Sequence, residues 1–354
     1  MKSVYIHIPF CNQICSYCDF CKVYYDKVWI NNYLDSLSKE IDKRYNGELI
    51  DTIYIGGGTP SSLDINELQK LFNILKKIKT NYQEFTIEVN LDSLTKEKID
   101  LFKKNKINRV SIGIESFNQD NLTFLNRKLV NLDLIDYLKK VGITNINIDL
   151  IYALPNENLE VLANDLDKLL ELDIPHISTY SLIIEPNTKI SRLENIDQDL
   201  DYEMYELICS KLKDYHHYEI SNFSKYGYES KHNLTYWHNE HYYGFGVSAS
   251  GYINNIRYTN TKSITEYIKN FHEIEHEIIS EKTDMENELI LGLRLLEGIN
   301  IVKFKNKFNK DIFRVFNIDK LLKEKKLLLE DNYLRINSKY IYTSNNILVN
   351  FIGD

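Results

Sequence analysis

Short apolar runs alternate with amphipathic stretches of helical length through roughly the first 200 residues. The apolar runs are rich in β-branched residues and predict strands at 4–9, 52–55, 85–89, 109–114, 145–151 and 176–184. The amphipathic stretches predict helices at 28–45, 64–79, 95–105, 118–126, 131–141 and 159–171. Strands that alternate with helices in this way favour βαβ units and a parallel sheet.

Polar and reactive residues follow the carboxyl ends of the predicted strands. A cysteine-rich loop follows the first strand, and Gly-Gly-Gly-Thr-Pro at 56–60 follows the second. Glu88, Glu115 and Asp149 lie at the ends of the next three strands. In β/α barrels the active site lies at this face. Six strand–helix units instead of eight predict an α/β fold built on a partial (β/α)6 barrel.

The alternating pattern ends near residue 200. Residues 215–260 are dense in Tyr, His, Asn and Gly, 285–298 predict one amphipathic helix, and 301–354 alternate short helices and strands. We therefore expect a partial barrel at 1–210, a Tyr- and His-rich connecting region at 211–283, and a small winged-helix-like α+β domain at 284–354. The sequence has no Gly/Ser-rich or Pro-rich linker, so these parts are expected to pack tightly together.

The charge balance excludes some classes of partner. The formal net charge is −8 and the isoelectric point is near 5.7. Binding nucleic acid over an extended surface requires a basic face, which a chain of this charge is not expected to have, so no nucleic-acid partner is expected. No apolar stretch approaches the ~20 residues that cross a bilayer, and the first residues lack a secretory pattern. A cytoplasmic protein is expected.

Four of the five cysteines lie between positions 11 and 21. In a reducing cytosol such a group predicts metal binding before disulfides, whereas the isolated Cys209 is expected to be a small buried apolar residue. Cys11-x3-Cys15-x2-Cys18 supplies three thiolates, which can hold three corners of a [4Fe–4S] cubane and leave one iron open. The alternative is a structural zinc site. Such a site has four protein ligands and would need Cys21 in addition to the other three cysteines.

Several further segments match a known family in order and at sensible distances. They are YIHIPFCNQICSYCDF, YIGGGTPS, FTIEVNLDSL, RVSIGIESF, INIDLIYALP, HISTYSLIIEPNT, HNLTYW and LILGLRLLEGI. With them the chain resembles the radical S-adenosylmethionine superfamily and, within it, the oxygen-independent coproporphyrinogen III oxidase family. The resemblance covers nearly the whole chain and is strongest to the shorter branch of that family, the HemW-type heme chaperones.

This resemblance implies that the three cysteines carry a [4Fe–4S] cluster, and that the open iron holds S-adenosylmethionine through its amino and carboxylate groups. Glycines let a backbone approach a ligand closely, and exposed backbone groups can bond an ammonium or a carboxylate. In this context Gly57, Gly58 and Thr59 are expected to meet the amino-acid end of the cofactor.

Five other residues match cofactor contacts of the family. Tyr5 matches an aromatic residue beside the cofactor, and Glu88 and Asp149 match carboxylates suited to accept hydrogen bonds from ribose hydroxyls. Arg127 matches a basic residue that faces the cofactor carboxylate, where a guanidinium pairs naturally. Glu115 departs from the family, which usually has Gln there. Its charge is expected to weaken the contact or to move it to the amino group.

Two features separate the oxidases from the chaperone branch. The oxidases carry an N-terminal extension, which is expected to be absent here because Tyr5 is nearly the first residue. They also have a fourth cysteine two positions after the third, where this chain has Phe20, with Cys21 one place later. Spacing sets ligation, so we interpret Cys21 as a loop thiol, with a weak substitute ligand as the alternative.

The segment HNLTYW at 232–237 matches a motif associated with heme binding in the chaperone branch. Imidazole is a common axial ligand of heme iron, so His232 is the candidate heme ligand. His238 and His241 are close enough in sequence to be confused with it. The alternative is that the aromatic residues of this segment pack the second part of the chain onto the barrel.

The preferred hypothesis is a protein that binds heme and delivers it to acceptor proteins, such as respiratory enzymes at the inner face of the membrane. The alternative is a radical enzyme that acts on the propionates of coproporphyrinogen III and needs an electron donor. A radical enzyme with another substrate is a third hypothesis, because one fold hosts many chemistries. No catalytic residue is assigned, and whether the chain forms a homodimer stays open.

Overall fold

The computed structural model describes residues 2–128, 131–193, 197–270 and 273–353. In the first half of the chain, strands and helices alternate as the sequence pattern predicts. The strands are β1 (Ser3–Ile8), β2 (Phe10–Cys11), β3 (Val23–Tyr24), β4 (Ile50–Gly57), β5 (Thr80–Asn90), β6 (Arg109–Glu115), β7 (Asn145–Tyr152) and β8 (His176–Ser181). The helices are α1 (Lys27–Arg44), α2 (Ile65–Leu75), α3 (Lys96–Lys104), α4 (Gln119–Leu125), α5 (Asp133–Lys140) and α6 (Leu159–Glu171).

Six of these strands form a parallel sheet in the order β1-β4-β5-β6-β7-β8. This arrangement confirms the predicted α/β fold. The largest differences from the predicted bounds are at two positions, since α2 ends at Leu75 instead of residue 79, and β5 begins at Thr80 instead of residue 85. The helix ends early because the backbone enters turns, in which Lys77 N donates to the carbonyl of Ile74 at 3.1 Å.

The next part of the chain adds strands to both edges of this sheet. Its elements are α7 (Gln198–Lys211), β9 (His216–Glu219), β10 (Asn222–Ser224), α8 (Lys231–Trp237), β11 (Tyr242–Phe245), β12 (Ser250–Ile253), β13 (Ile256–Asn260), α9 (Ile264–Ile268) and β14 (Glu273–Ile278). β10 pairs antiparallel with β8, and β9 follows it. At the other edge β11 pairs in parallel with β1, followed by antiparallel β12, β13 and β14. The sequence pattern missed these strands, and the boundary at 210/211 stays a prediction.

The C-terminal part has an apolar cluster of its own, which runs from Met285 to Phe351. Its elements are α10 (Glu281–Gly292), β15 (Ile299–Asn300), α11 (Ile301–Phe308), α12 (Ile312–Val315), α13 (Asp319–Lys323), β16 (Leu327–Glu330), β17 (Tyr333–Ile336) and α14 (Asn345–Leu348), with 3-10 turns at 338–340 and 349–351. β15, β17 and β16 form a small antiparallel sheet. The predicted helix at 285–298 begins earlier, because the Ser280 side chain caps it. The boundary at 283/284 stays a prediction.

In the described part of the chain, no helix has the length and apolar character that crossing a membrane requires.

The two faces of the parallel strands differ in polarity. Successive residues of a strand point to opposite faces, so one alternate set packs under the helices and the other lines the concave face. The first set is apolar and buried, and includes Val4, Ile6, Ile53, Ile55, Val110, Ile112, Ile146 and Ile148. The second set is polar and equally buried, and includes Ser3, Thr52, Thr86, Arg109, Asn147 and His176. Buried polar groups need partners, so this face depends on hydrogen bonds between strands.

Glu40 joins α1 to the late strands. Its side chain is 0% exposed and accepts hydrogen bonds from Asn260 Nδ2 at 2.7 Å, from Gly246 N at 2.9 Å and from the Tyr267 hydroxyl. Arg44 Nη1 lies 2.9 Å from the same carboxylate. One buried acceptor therefore satisfies donors from segments more than two hundred residues away in sequence.

We expect Glu40→Ala to lower the free energy of unfolding by about 3–5 kcal/mol, because it removes the buried acceptor of three donors. Denaturant unfolding of the purified variant measures this loss. Asp42→Ala on the same helix is the control, since Asp42 pairs with Lys77 at the surface, where its side chain is 59% exposed. A loss below about 1 kcal/mol is expected there. Equal losses in both variants would contradict the role of Glu40.

Candidate cluster and cofactor site

The cysteine-rich loop is fastened to the barrel on two sides. It leaves the sheet after β1 and returns through β2 and β3, which pair in parallel. His7 Nε2 lies 2.8 Å from the carbonyl oxygen of Cys21, near the end of the loop. In its middle, Ser16 Oγ donates to the carbonyl of Phe124, at the end of α4, at 2.8 Å. The loop is therefore held at the carboxyl edge of the parallel strands.

Cys11, Cys15 and Cys18 line one cavity of about 400 Å³ at this edge. Across the described residues, no group of three or more His, Cys, Asp or Glu side chains is placed to hold a single metal ion. Cys21 does not line the cavity, and its Sγ lies 3.4 Å from the carbonyl oxygen of Lys262. The structure thus brings the three predicted cysteines to one cavity and directs Cys21 elsewhere.

The three thiols resist ionisation. Burial raises the pKa of Cys11 to about 11, and it also raises the pKa of Cys15 and of Cys18. The metal-free thiols are therefore protonated at neutral pH. Thiolates are the form that ligates metals, so cluster binding must release these protons.

The glycine turn after β4 lies against the cysteine loop. Gly57 has φ +115°, and a Cβ there would lie 2.6 Å from the ring of His7. At Gly58 a Cβ would lie 2.7 Å from the carbonyl carbon of Pro9 and 3.0 Å from Cys11 Sγ. Glycine is therefore required at both positions, because β4 approaches β1 and the first cysteine too closely for a side chain. Thr59 follows the turn, and its hydroxyl lies 3.5 Å from Cys11 Sγ.

Glu88 stands on β5 at the wall of the cavity beside this turn. Its carboxylate accepts hydrogen bonds from the Tyr54 hydroxyl at 2.8 Å and from Gly57 N at 3.0 Å. Desolvation raises the pKa of Glu88 to about 7. Tyr5 is the neighbour of Tyr54, with ring centroids 6.2 Å apart, and its hydroxyl lies 3.0 Å from Nδ1 of His7. Tyr5 is therefore beside the cavity wall but is not one of its lining residues.

Asp149 on β7 lines the same cavity. Its carboxylate accepts hydrogen bonds from Asn147 Nδ2 at 2.9 Å and from Ser111 Oγ at 3.3 Å. Desolvation raises the pKa of Asp149 as well. Both carboxylates predicted from strand ends are thus at one cavity, with part of their hydrogen-bonding capacity used by the protein.

Glu115 and Arg127 form a pair that links β6 to the cysteine loop. Arg127 Nη2 lies 3.4 Å from Glu115 Oε1 and also donates to the carbonyl of Gly113, while its Nη1 lies 3.8 Å from Cys15 Sγ. The Tyr17 hydroxyl donates to Glu115 at 3.0 Å. Glu115 has φ +70°, which is strained for a residue with a side chain. The end of β6 holds this strain where the cluster loop, the strand and the cavity meet.

His232 is not presented to solvent or to the cavity. It is 1% exposed, and both ring nitrogens are engaged, Nδ1 with Thr52 Oγ1 at 2.8 Å and Nε2 with the Tyr236 hydroxyl at 2.8 Å. Burial, with the charge of Arg109, lowers the pKa of His232 to about 3. The expectation that this imidazole is available to heme iron is not met in this conformation. Its role as heme ligand stays a prediction.

The rest of the HNLTYW segment and its neighbours behave differently. Trp237 packs under the guanidinium of Arg294, 5.1 Å from the ring centroid, and so joins α8 to the C-terminal part. His238 is exposed at the end of α8, and His241 packs edge-on against Tyr252 with centroids 5.0 Å apart. The aromatic packing that sequence reasoning kept as an alternative is therefore present.

Sequence reasoning missed several residues of the concave face. Tyr54, Ser111 and Tyr180 line the cavity, while Asn147 and His176 form a hydrogen bond of 2.6 Å below it. The sequence contained a signal for these residues. Side chains at every second position of a strand share one face, and each of these residues lies two or four positions from another residue of the concave face on the same strand. Following that alternation along each predicted strand would have found them.

Comparisons with known proteins agree with this geometry. The model of the Radical SAM superfamily matches residues 5–169, and the HemN C-terminal domain matches residues 279–341. A relative from Lactococcus lactis named heme chaperone HemW is 39% identical over 100% of this chain and 98% of its own. Relatives of the same name from Bacillus subtilis and Escherichia coli are 39% and 32% identical, over 93% and 85% of both chains respectively.

A solved structure shows the same fold. Coproporphyrinogen III oxidase (HemN) from Escherichia coli superposes with a TM-score of 0.87 over 99% of this chain and 90% of its own, at 20% identity. The parallel sheet with its three-cysteine loop thus defines a radical S-adenosylmethionine protein, a class that implies a [4Fe–4S] cluster and S-adenosylmethionine. Within that class, the chain belongs to the HemW family.

We expect Cys21→Ser to retain iron and sulfide after anaerobic reconstitution, because Cys21 does not line the cavity. Cys18→Ser is the matched comparison, and it should lose most of both, since two thiolates no longer fix a cubane. Iron and acid-labile sulfide analysis, with the visible absorption spectrum, measures the outcome. Loss of the cluster in Cys21→Ser would contradict this placement of the ligands.

Proposed function

We propose that this protein binds heme and delivers it to acceptor proteins, on a scaffold that carries a [4Fe–4S] cluster and S-adenosylmethionine. The observation that carries the proposal is similarity over the whole chain to relatives named heme chaperone. The cavity supports the binding of the cluster and the cofactor, because three thiols, the carboxyl groups of Glu88, Glu115 and Asp149, and the guanidinium of Arg127 meet there.

The residues at the cavity fit a cubane cluster. Cys11, Cys15 and Cys18 would hold it, and the missing side chain at Gly58 leaves room beside the Cys11 sulfur. When bound, such a cluster supplies an electron-transfer centre with one iron that the protein does not ligate. Thr59 would then donate a hydrogen bond to a ligating sulfur, which stabilises its thiolate.

We propose Gly57, Gly58 and Thr59 for the amino-acid end of S-adenosylmethionine, and Glu88 and Asp149 for its ribose hydroxyls. Hydrogen bonds from hydroxyls to ionised carboxylates are among the stronger ones, so these contacts weaken when the carboxylates are protonated. Tyr5 is proposed to act from beside the wall, where it supports Tyr54 and His7.

Arg127 is proposed for the cofactor carboxylate, but Glu115 holds its guanidinium in this structure. The cofactor must therefore compete with Glu115 for Arg127. A Gln at position 115, the residue usual in the family, would accept from Tyr17 without adding a second negative charge.

For heme we propose His232 as the ligand in a state in which α8 has moved away from the barrel. Ligation through Nε2 must break the hydrogen bond to Tyr236, which lies one turn further along α8. His238 is the alternative candidate for the heme ligand, because its side chain is exposed at the end of α8.

We further propose that the acceptors are respiratory enzymes at the inner face of the membrane and that the protein is cytoplasmic. Cysteines that bind a cluster must stay reduced, and the cytoplasm is a reducing compartment, which supports the proposed cytoplasmic location. If radical chemistry occurs, an electron donor is a further partner.

A second candidate function is oxidation of coproporphyrinogen III to protoporphyrinogen IX. The shared fold with the oxidase favours it, although similarity at 20% identity establishes the fold alone. Reconstituted protein should take up heme and pass it to a heme-free acceptor, as followed by the heme absorption band. Under anaerobic reducing conditions it should not decarboxylate coproporphyrinogen III. Turnover of that substrate without heme uptake would overturn the proposal.

Tyr236→Phe tests the ligand. This variant removes one hydrogen bond that holds the His232 imidazole, so we expect heme affinity to rise about fivefold if His232 ligates iron through Nε2. Heme titration of the reconstituted protein measures it, and amide exchange across 231–237 should quicken when heme binds. His238→Ala is the control and should leave affinity unchanged. Loss of binding in His238→Ala, with no gain in Tyr236→Phe, would reject His232.

The affinity for S-adenosylmethionine should rise about fivefold in Glu115→Gln. The substitution releases the guanidinium of Arg127 and removes a negative charge that repels the cofactor carboxylate. Equilibrium binding to the cluster-loaded protein gives the affinity. Glu157→Gln is the matched control, since Glu157 is equally buried and bonded by the protein but lies outside the cavity. Weaker binding in Glu115→Gln would show that Glu115 itself contacts the cofactor.

A further inference from the structure

Arg109 begins β6 and, at 2% exposure, is the largest residue buried to this extent in the described part of the chain. It lies on the concave face, in register with Thr86 on β5 and with Asn145 on β7. Its Nε, Thr86 Oγ1 and Asn145 Oδ1 are all buried without a hydrogen-bond partner. The charge of Arg109 acts on groups of several elements of this face, among them Tyr54, His176 and His232.

A buried guanidinium is costly and cannot lose its proton, so nearby negative charge must compensate it. Glu88 follows Thr86 by two positions on β5, which places it about 7 Å further along the same face. Asp149 stands on the same face of β7, toward the cavity. The cation therefore lies beneath the two carboxylates that line the cavity.

The electrostatics agree with this geometry. Desolvation raises the pKa of Glu88 to about 7, and the charge of Arg109 opposes that rise. Desolvation also raises the pKa of Asp149, and Arg109 opposes this rise too. The other groups that act on Glu88 are the hydroxyls of Tyr54, Tyr5 and Tyr236, the amide of Gly57 and the charge of Asp149. Those that act on Asp149 are Ser178, Asn147, Ser111, Tyr54, Tyr180, Glu88 and Glu115.

We propose that Arg109 is a positioning residue, the shared buried countercharge that favours the ionised forms of Glu88 and Asp149 and so sets the pH range over which the cavity binds its cofactor. This inference rests on the proposed role of the two carboxylates toward ribose hydroxyls. Arg109 itself need not touch the cofactor.

Arg109→Met, Arg109→Lys and Thr86→Val are the variants that test this proposal. Without the cation, the pKa values of Glu88 and Asp149 should rise by about one unit, since a nearby opposite charge lowers a carboxyl pKa by roughly 1–3 units. At pH 7 the affinity of Arg109→Met for S-adenosylmethionine should fall about tenfold and recover near pH 9. Arg109→Lys keeps the charge and should restore most of the affinity at pH 7. Thr86→Val changes a neighbouring buried side chain without changing charge, and its pH profile should match the parent.

A second readout needs no cofactor. The infrared band of the protonated Glu88 carboxyl, identified by its loss in Glu88→Gln, should titrate near neutral pH in the parent and about one unit higher in Arg109→Met. This readout separates the two proposals. If the parent binds no cofactor but the band shifts, the cofactor assignment fails and the countercharge stands. An unshifted band, or an affinity loss equal at every pH, overturns the role of Arg109.

Arg109→Met also has a stability consequence that remains measurable if the variant is only marginally folded. Its melting temperature should fall, and adding Glu88→Gln should partly restore it, because the carboxyl left without a countercharge is then neutral. Additive losses in the double variant would overturn the coupling.

Discussion

The concave face of the parallel sheet carries ionisable groups that the fold has partly or wholly removed from water, so the state of each is set by its neighbours. Arg109 is fully buried, whereas Glu88 and Asp149 face the cavity from the flanking strands. Burying such charges costs several kcal/mol each unless opposite charges and hydrogen bonds compensate them. The candidate site depends on this balance, because the carboxylates that would accept hydroxyl hydrogen bonds are useful only when ionised.

The sequence predicted the parallel strands, because the residues that favour a strand locally are also the residues that the fold buries. Each parallel strand buries one apolar face under helices, so its run of β-branched residues is visible in the sequence. The carboxyl ends of such strands meet at one edge, which is why the sequence alone could group Glu88, Asp149 and the three cysteines. The edge strands β9 to β14 escaped prediction because they are short and rich in Tyr, His and Asn. Their pairing, such as Ser3 beside Tyr242, joins distant parts of the chain.

His232 shows what a motif cannot convey. The letters HNLTYW identify an imidazole and aromatic rings, but not which side of a two-turn helix faces the barrel. Here α8 turns His232 inward, where Thr52 and Tyr236 occupy both of its nitrogens. Glu84 on β5 accepts the amides of Lys231 and His232 at 3.0 Å, which fixes the start of the helix in that orientation. The orientation is thus set by a buried acceptor on a strand 148 residues earlier in sequence.

The contacts around Glu115 join the cysteine loop to the wall of the cavity. Tyr17 belongs to the cysteine loop, Glu115 ends β6, and Arg127 follows α4, so three separate elements meet in one hydrogen-bonded group. A cluster on the loop would fix Tyr17 and Cys15, and thereby the position of Glu115 and Arg127. A cofactor that draws Arg127 away from Glu115 would in turn change what holds the loop. The two ligands would therefore act on overlapping sets of contacts, so the binding of one would change the affinity for the other. The strained backbone of Glu115 lies where these three elements meet.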